Sequence, residues 1–106
     1  MIYPMLVQKI YYSDSKTYIN FYYEKAKAYF GIIYNNGTNV VDGCKPILFT
    51  IRVSYDGTKI AINQLNEATG ITFGHAKSNN NTYITFYINY NSKDLAYLQL
   101  WITLIN

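Results

Sequence analysis

The 106-residue sequence predicts an all-β fold: an antiparallel two-sheet β-sandwich of about eight strands, jelly-roll-like, in one domain spanning residues 1–106. Three observations predict it. Apolar residues recur at every second position in segment after segment; no segment keeps a 3.6-residue period for three turns; and Gly, Asn, Asp, Ser and Pro cluster between the alternating segments. An up-and-down barrel is the architecture that competes for the same pattern.

The elements follow in order along the chain. MLVQKIYY opens as a strand, and the turn SDSK leads into TYINFYY, where Ile19, Phe21 and Tyr23 share one side. A short EKAK link precedes KAYFGIIY, in which Ala28, Phe30, Ile32 and Tyr34 are expected on the inner side. The long connection NNGTNVVDGCKP then reaches ILFTIRVSY, which sets Ile47, Phe49, Ile51, Val53 and Tyr55 against Thr50, Arg52 and Ser54. Asp56-Gly57 predicts a tight type I′ hairpin, since that turn needs two positive φ values, and TKIAINQL returns with Ile60 and Ile62 facing in. ITFGHAK is the sixth strand. After the asparagine turn, YITFYINY sets Ile84, Phe86, Ile88 and Tyr90 against Tyr83, Thr85, Tyr87 and Asn89.

The last strand, LAYLQLWITLI, differs from the others. Ala96, Leu98, Leu100, Ile102 and Leu104 form one apolar row, but Leu95, Tyr97, Trp101 and Ile105 make the second row mostly apolar as well. A strand of this kind needs cover on both sides. One side meets the core, and the other is expected to meet a neighbouring subunit through Leu95, Tyr97, Trp101 and Ile105; a loop folded over it is the alternative.

Composition excludes several functions. Half the residues are hydrophobic and 14% are charged, which rules out a disordered chain. The net charge of +3 comes from separated lysines and Arg52, without a basic run to track a phosphate backbone, so no nucleic acid is expected as a partner. Nowhere do eighteen apolar residues run together, and the N-terminus lacks the basic and apolar regions of a signal peptide, so neither membrane insertion nor signal-directed secretion is expected. Cys44 stands alone, which leaves no intrachain disulfide.

The residues of catalysis are also missing as patterns. His75 is the single histidine and no G-x-S-x-G elbow accompanies it. Asp14, Asp42, Asp56 and Asp94 sit in turn-like contexts, where a carboxylate bonds local N–H groups. No zinc set and no D-x-D-x-D-G calcium loop is present, and the glycines are dispersed, each with a turn or bulge explanation. The expectation is a protein without enzymatic activity, metal or cofactor.

Thirteen tyrosines in a chain this short exceed the needs of a Phe and Ile core. Tyrosine offers a rigid face with only two torsions to freeze and a hydroxyl that donates or accepts, while asparagine matches vicinal hydroxyls with paired donor and acceptor groups. Together they fit recognition of a sugar or a mixed polar surface. The candidate contacts are Tyr83 and Tyr87 beside Asn79, Asn80 and Asn81, with a second rim at Tyr34 and Asn36. Against this stands the high strand propensity of tyrosine, which alone places it at exposed strand positions.

The run of LVQKIYY, the hairpin ILFTIRVSYDGTKIAINQL, the Asn-rich turn and the closing TYITFYINYNSKDLAYLQLWITLI resembles the C-terminal receptor-binding head, or knob, domain of bacteriophage tail fibre proteins. The resemblance covers nearly the whole chain in pattern and contains no diagnostic motif. It implies a viral protein of the virion tail, a homotrimer with its inner sheets toward the threefold axis, host attachment and binding to a bacterial cell-surface glycan. The chain departs from that pattern in starting at Met1 without a fibre shaft. A structural or interaction β-sandwich of a virion, with no glycan ligand, is the second expectation.

Overall fold

The computed structural model describes residues 5–11, 16–35, 46–67, 71–90 and 97–105, and its regular structure is strand throughout. The strands are β1 (Met5–Tyr11), β2 (Lys16–Tyr22), β3 (Ala28–Asn35), β4 (Ile47–Val53), β5 (Ile60–Gln64), β6 (Ile71–Lys77), β7 (Tyr83–Tyr90) and β8 (Tyr97–Leu104). Every pairing is antiparallel. They form a five-stranded sheet in the order β1-β8-β3-β4-β5 and a three-stranded sheet in the order β2-β7-β6.

Strands β2, β3, β4 and β7 bury alternate residues, Leu100 and Ile102 of β8 are buried with them, and the two buried faces meet. From the small sheet come Ile19 and Phe21 of β2 and Ile84, Phe86 and Ile88 of β7; from the large one come Ile33, Ile47, Phe49, Ile51, Leu100 and Ile102. Phe49 reaches across the interface, its ring centre 5.2 Å from Phe86 and 5.3 Å from Phe73, while Phe73 and Phe86 stack at 5.5 Å. Nearer one end Phe21 meets Tyr29 edge to face at 5.0 Å. Withdrawing each such side chain from water contributes about 1.5–3 kcal/mol, so this shared layer holds the sheets together.

Three expectations need correcting. In β3 the buried residues are Tyr29, Gly31 and Ile33, whereas Phe30 and Ile32 point to the outer face of the large sheet. The cause is Phe49, directly opposite Gly31 in the ladder: a Cβ on Gly31 would lie only 2.2 Å from Phe49 Cζ, so the glycine is the slot that the ring occupies. Gly31 therefore serves packing and neither a turn nor a bulge. Tyr55, expected on the inner side of β4, is 90% exposed at the following turn.

The hairpin between β4 and β5 is also wider than a type I′ turn. Gly57 has φ +78°, but Asp56 stays at negative φ. Its Oδ1 accepts hydrogen bonds from Ser54 Oγ (2.8 Å), Thr58 N (3.0 Å) and Thr58 Oγ1 (2.7 Å), a local network that fixes the turn around the aspartate. Gly57 N donates to Ser54 O and Lys59 N donates to Ser54 Oγ, closing the loop.

The turn between β6 and β7 repeats the same device. Asn80 Oδ1 accepts from Ser78 Oγ (2.8 Å) and Thr82 Oγ1 (2.6 Å), Asn81 N donates to Ser78 O, Tyr83 N donates to Ser78 Oγ, and Asn81 takes φ +57° in the place of Gly57. SYDGTK and SNNNTY are thus two versions of one turn, with Asp56 and Asn80 as equivalent acceptors and Gly57 and Asn81 as equivalent left-handed residues. Asparagine and glycine are the residues that tolerate that conformation best.

The Asp56 network has a consequence for acid stability. The three donors, led by the Thr58 hydroxyl, lower its carboxyl from an ordinary 3.8 to about 2. A depressed acid stabilises the fold fully above its ordinary pKa and loses that contribution as pH falls through the folded-state value. The stability difference between the wild type and Asp56→Asn, measured by urea denaturation, is expected to stay constant above about pH 5 and to shrink between about pH 4 and pH 2. A difference that does not change over that interval would contradict the network.

Candidate functional site

The outer face of the three-stranded sheet gathers most of its exposed aromatic surface. Pairing in β2 and β7 places Tyr18 opposite Tyr87, Asn20 opposite Thr85 and Tyr22 opposite Tyr83. Directly opposed residues share a face, and these are the residues whose chain neighbours Ile19, Phe21, Ile84 and Phe86 are buried. Tyr18 and Tyr87 meet edge to face at 5.2 Å, and Tyr22 and Tyr83 meet at 5.2 Å with their planes 50° apart. Between the two ring pairs, Thr85 Oγ1 donates to Asn20 Oδ1 at 2.7 Å. Tyr18 is 63% exposed, Tyr22 68% and Tyr87 39%, so ring surface remains open in spite of the pairing.

The third strand contributes an open margin. Gly74 lies opposite Tyr87 and Ala76 opposite Thr85, on the same outer face. A Cβ added at Gly74 would find nothing within 4 Å, so this glycine too is neither in a turn nor at a bulge; it leaves the surface low beside Tyr87. From the Tyr18–Tyr87 register to the Tyr22–Tyr83 register, the face consists of Tyr, Asn, Thr, Gly and Ala and carries no charged side chain. It is a neutral surface of phenol faces and edges with amide and hydroxyl groups in the middle. No protein-family model, no curated protein and no solved structure matches the chain. The assignment of this site therefore rests on its own geometry.

Tyr83 and Tyr87, expected as contacts from the sequence, lie together on this face, and Tyr18, Tyr22, Asn20 and Thr85 join them without having been singled out. Asn79, Asn80 and Asn81 lie in the turn that leads into β7, next to Tyr83. The side-chain oxygens of Asn80 and Asn81 are engaged inside the turn, the latter accepting from Lys77 Nζ, so these two asparagines shape the loop. Asn79 is exposed beside them. Tyr34 belongs to β3 of the other sheet, paired with Gln99, and does not join this group. Asn36 lies outside the described residues.

His75 is exposed on the edge strand β6 with its ring centre 6.3 Å from Phe73, at the rim of the core. Among the described residues no three His, Cys, Asp or Glu side chains come together as a metal site. Among the described residues no helix is long and apolar enough to cross a membrane. A cleft of about 210 Å³ opens at one end of the molecule between Phe21, Tyr22, Glu24, Tyr29 and Leu104. There Tyr29 Oη accepts from Glu24 N at 3.0 Å, and burial pushes the Tyr29 phenol above its ordinary pKa.

The expected subunit interface maps to the five-stranded sheet. β8 is an interior strand between β1 and β3, so both of its edges are hydrogen-bonded. Trp101 is partly exposed on the outer face, in direct register with Ile32, which in turn faces Leu48 on β4. Its indole N–H donates to Gln99 Oε1 at 2.7 Å, and Gln99 itself is buried. Ile105, just beyond the strand, is 51% exposed. Tyr97 lies within β8, and Leu95 falls outside the described residues.

Proposed function

We propose that the protein is a non-enzymatic receptor-binding module that recognises a cell-surface saccharide through the outer face of its three-stranded sheet. The observation that carries this reading is the pair of tyrosine couples, Tyr18 with Tyr87 and Tyr22 with Tyr83, flanking the Asn20–Thr85 hydrogen bond on an uncharged surface. Sugar rings present C–H faces that pack on phenol rings and hydroxyls that pair with amides and alcohols, while a phosphate or nucleic-acid ligand would call for several positive charges, and the stretch between the two tyrosine registers carries none.

The wider setting, the head of a viral tail fibre acting as a homotrimer in host attachment, draws on the resemblance in sequence pattern. The jelly-roll relation draws on the nested pairings β1 with β8, β2 with β7 and β4 with β5; the pairings β3 with β4 and β6 with β7 depart from a fully nested ribbon. A structural role in a virion is the second reading, and the apolar row Leu48, Ile32 and Trp101 on the large sheet favours it as a subunit or partner contact. In a trimer, three weak sugar sites would gain about 10²-fold or more in avidity where geometry permits.

A glycan array combined with light scattering tests the proposal. The expected result is a trimer that binds at least one saccharide and loses it in the double variant Tyr18→Ala/Tyr87→Ala, with its thermal unfolding still cooperative. A protein that binds no glycan would favour the structural role.

A further inference from the structure

We infer that the tyrosine face is built for an extended saccharide of three to four units lying parallel to β2 and β7, and not for a single sugar; this rests on the saccharide-binding reading above. The two ring pairs stand four residues apart on the same two strands, which separates them by about 13 Å at the rise of an antiparallel strand. One sugar ring cannot touch both. A linear chain of three to four units covers that span, setting a ring near each tyrosine pair and its central hydroxyls over Asn20 and Thr85.

The surface between the pairs is shaped for passage. On the adjacent β6, the residues sharing this face are Thr72, Gly74 and Ala76, so no large side chain blocks the direction of the strands. Of the described clefts, one lies at the Ser54–Lys59 turn and the other, between Phe21, Glu24, Tyr29 and Leu104, adjoins the strip only at its Tyr22 end. A monosaccharide site gains its affinity from walls that enclose the ligand on several sides, whereas an open strip gains affinity only as the ligand lengthens along it. The middle register adds the polar component: Asn20 is exposed, and its Nδ2 makes no hydrogen bond among the described residues, so its two donors suit the hydroxyls of a middle unit.

The test uses the full chain and takes the best-binding glycan from the array as a length series from one to six units, measured by calorimetry. Affinity is expected to rise by about tenfold or more between two and four units and then to level off. Tyr22→Ala and Tyr18→Ala, both at well-exposed positions, are each expected to bring the four-unit affinity down to about that of the two-unit probe on the wild type. Cooperative unfolding well above the temperature of the binding measurement provides the control for folding. A monosaccharide that binds as tightly as the four-unit probe overturns the inference and leaves the saccharide reading standing. Tighter binding of a polyproline decapeptide than of any glycan overturns both, because an extended peptide would then be the occupant of the strip.

Discussion

Phe49→Ala is expected to lower the unfolding free energy by about 3–5 kcal/mol, the usual consequence of emptying a fully enclosed aromatic site. Phe49 has no measurable exposure and joins the sheets by touching Phe73 and Phe86 of the opposite layer. Its removal takes away transfer energy and also leaves a cavity between two sheets whose hydrogen-bonded ladders cannot simply close on it. Against a typical domain stability of about 5–15 kcal/mol, such a loss leaves a marginal fold. Chemical denaturation at neutral pH checks this, and a loss below about 1 kcal/mol would show that the sheets are not joined through this ring.

Gly31→Ala carries the second large effect. The added methyl would sit 2.2 Å from Phe49 Cζ and 2.5 Å from Cε2, distances that no side chain tolerates. The ring must move, yet the phenylalanines of the other sheet lie against it. Overpacking of this kind costs about 1–3 kcal/mol, here with the backbone ladders on both sides of Gly31 opposing relaxation. The penalty should be largely absent in a Phe49→Leu background, where the smaller side chain yields the space. A double-mutant cycle on these two positions is therefore expected to show coupling of about 1 kcal/mol or more, and additive effects would contradict the contact.

Much of the architecture was legible because period-two alternation is a local property. β6 and β7 have the bounds that ITFGHAK and YITFYINY suggest, and the buried sets of β2, β4 and β7 contain the residues that alternation selects. The pattern misled in β3, where Phe30 and Ile32 outweigh Tyr29 and Gly31 in apolarity. Only the ring of Phe49, supplied by the next strand across a long connection, reveals that the glycine side is the inner one.

The turns misled in a related way. Asp-Gly reads as a type I′ signal until the carboxylate is seen accepting from Ser54 and Thr58, and the run of asparagines reads as a binding loop until Asn80 is seen in the role of Asp56. The serine and threonine that flank both turns were the available signal.

The candidate site was half legible. Tyr83 and Tyr87 stand out in YITFYINY, and TYINFYY carries the matching set Tyr18, Asn20 and Tyr22 opposite its apolar residues. What the sequence does not contain locally is the pairing of these two segments, which lie near opposite ends of the chain. Once β2 and β7 are neighbours, two ordinary alternating strands become one aromatic face. β8 is a different case: its interior place in the large sheet pairs both of its edges, and its second apolar row, with Trp101 partly exposed, stays on the outer face.

A ligand seated on the small sheet would touch its tyrosines and leave the large sheet untouched. Tyrosine-ring and indole NMR signals, recorded as the saccharide selected on the array is added, test it most directly. Tyr18, Tyr22, Tyr83 and Tyr87 are expected to shift together at saturation while the Trp101 indole signal stays in place. Movement of Trp101 with all four tyrosines unchanged would put the ligand on the opposite sheet and rule out the tyrosine face as its site.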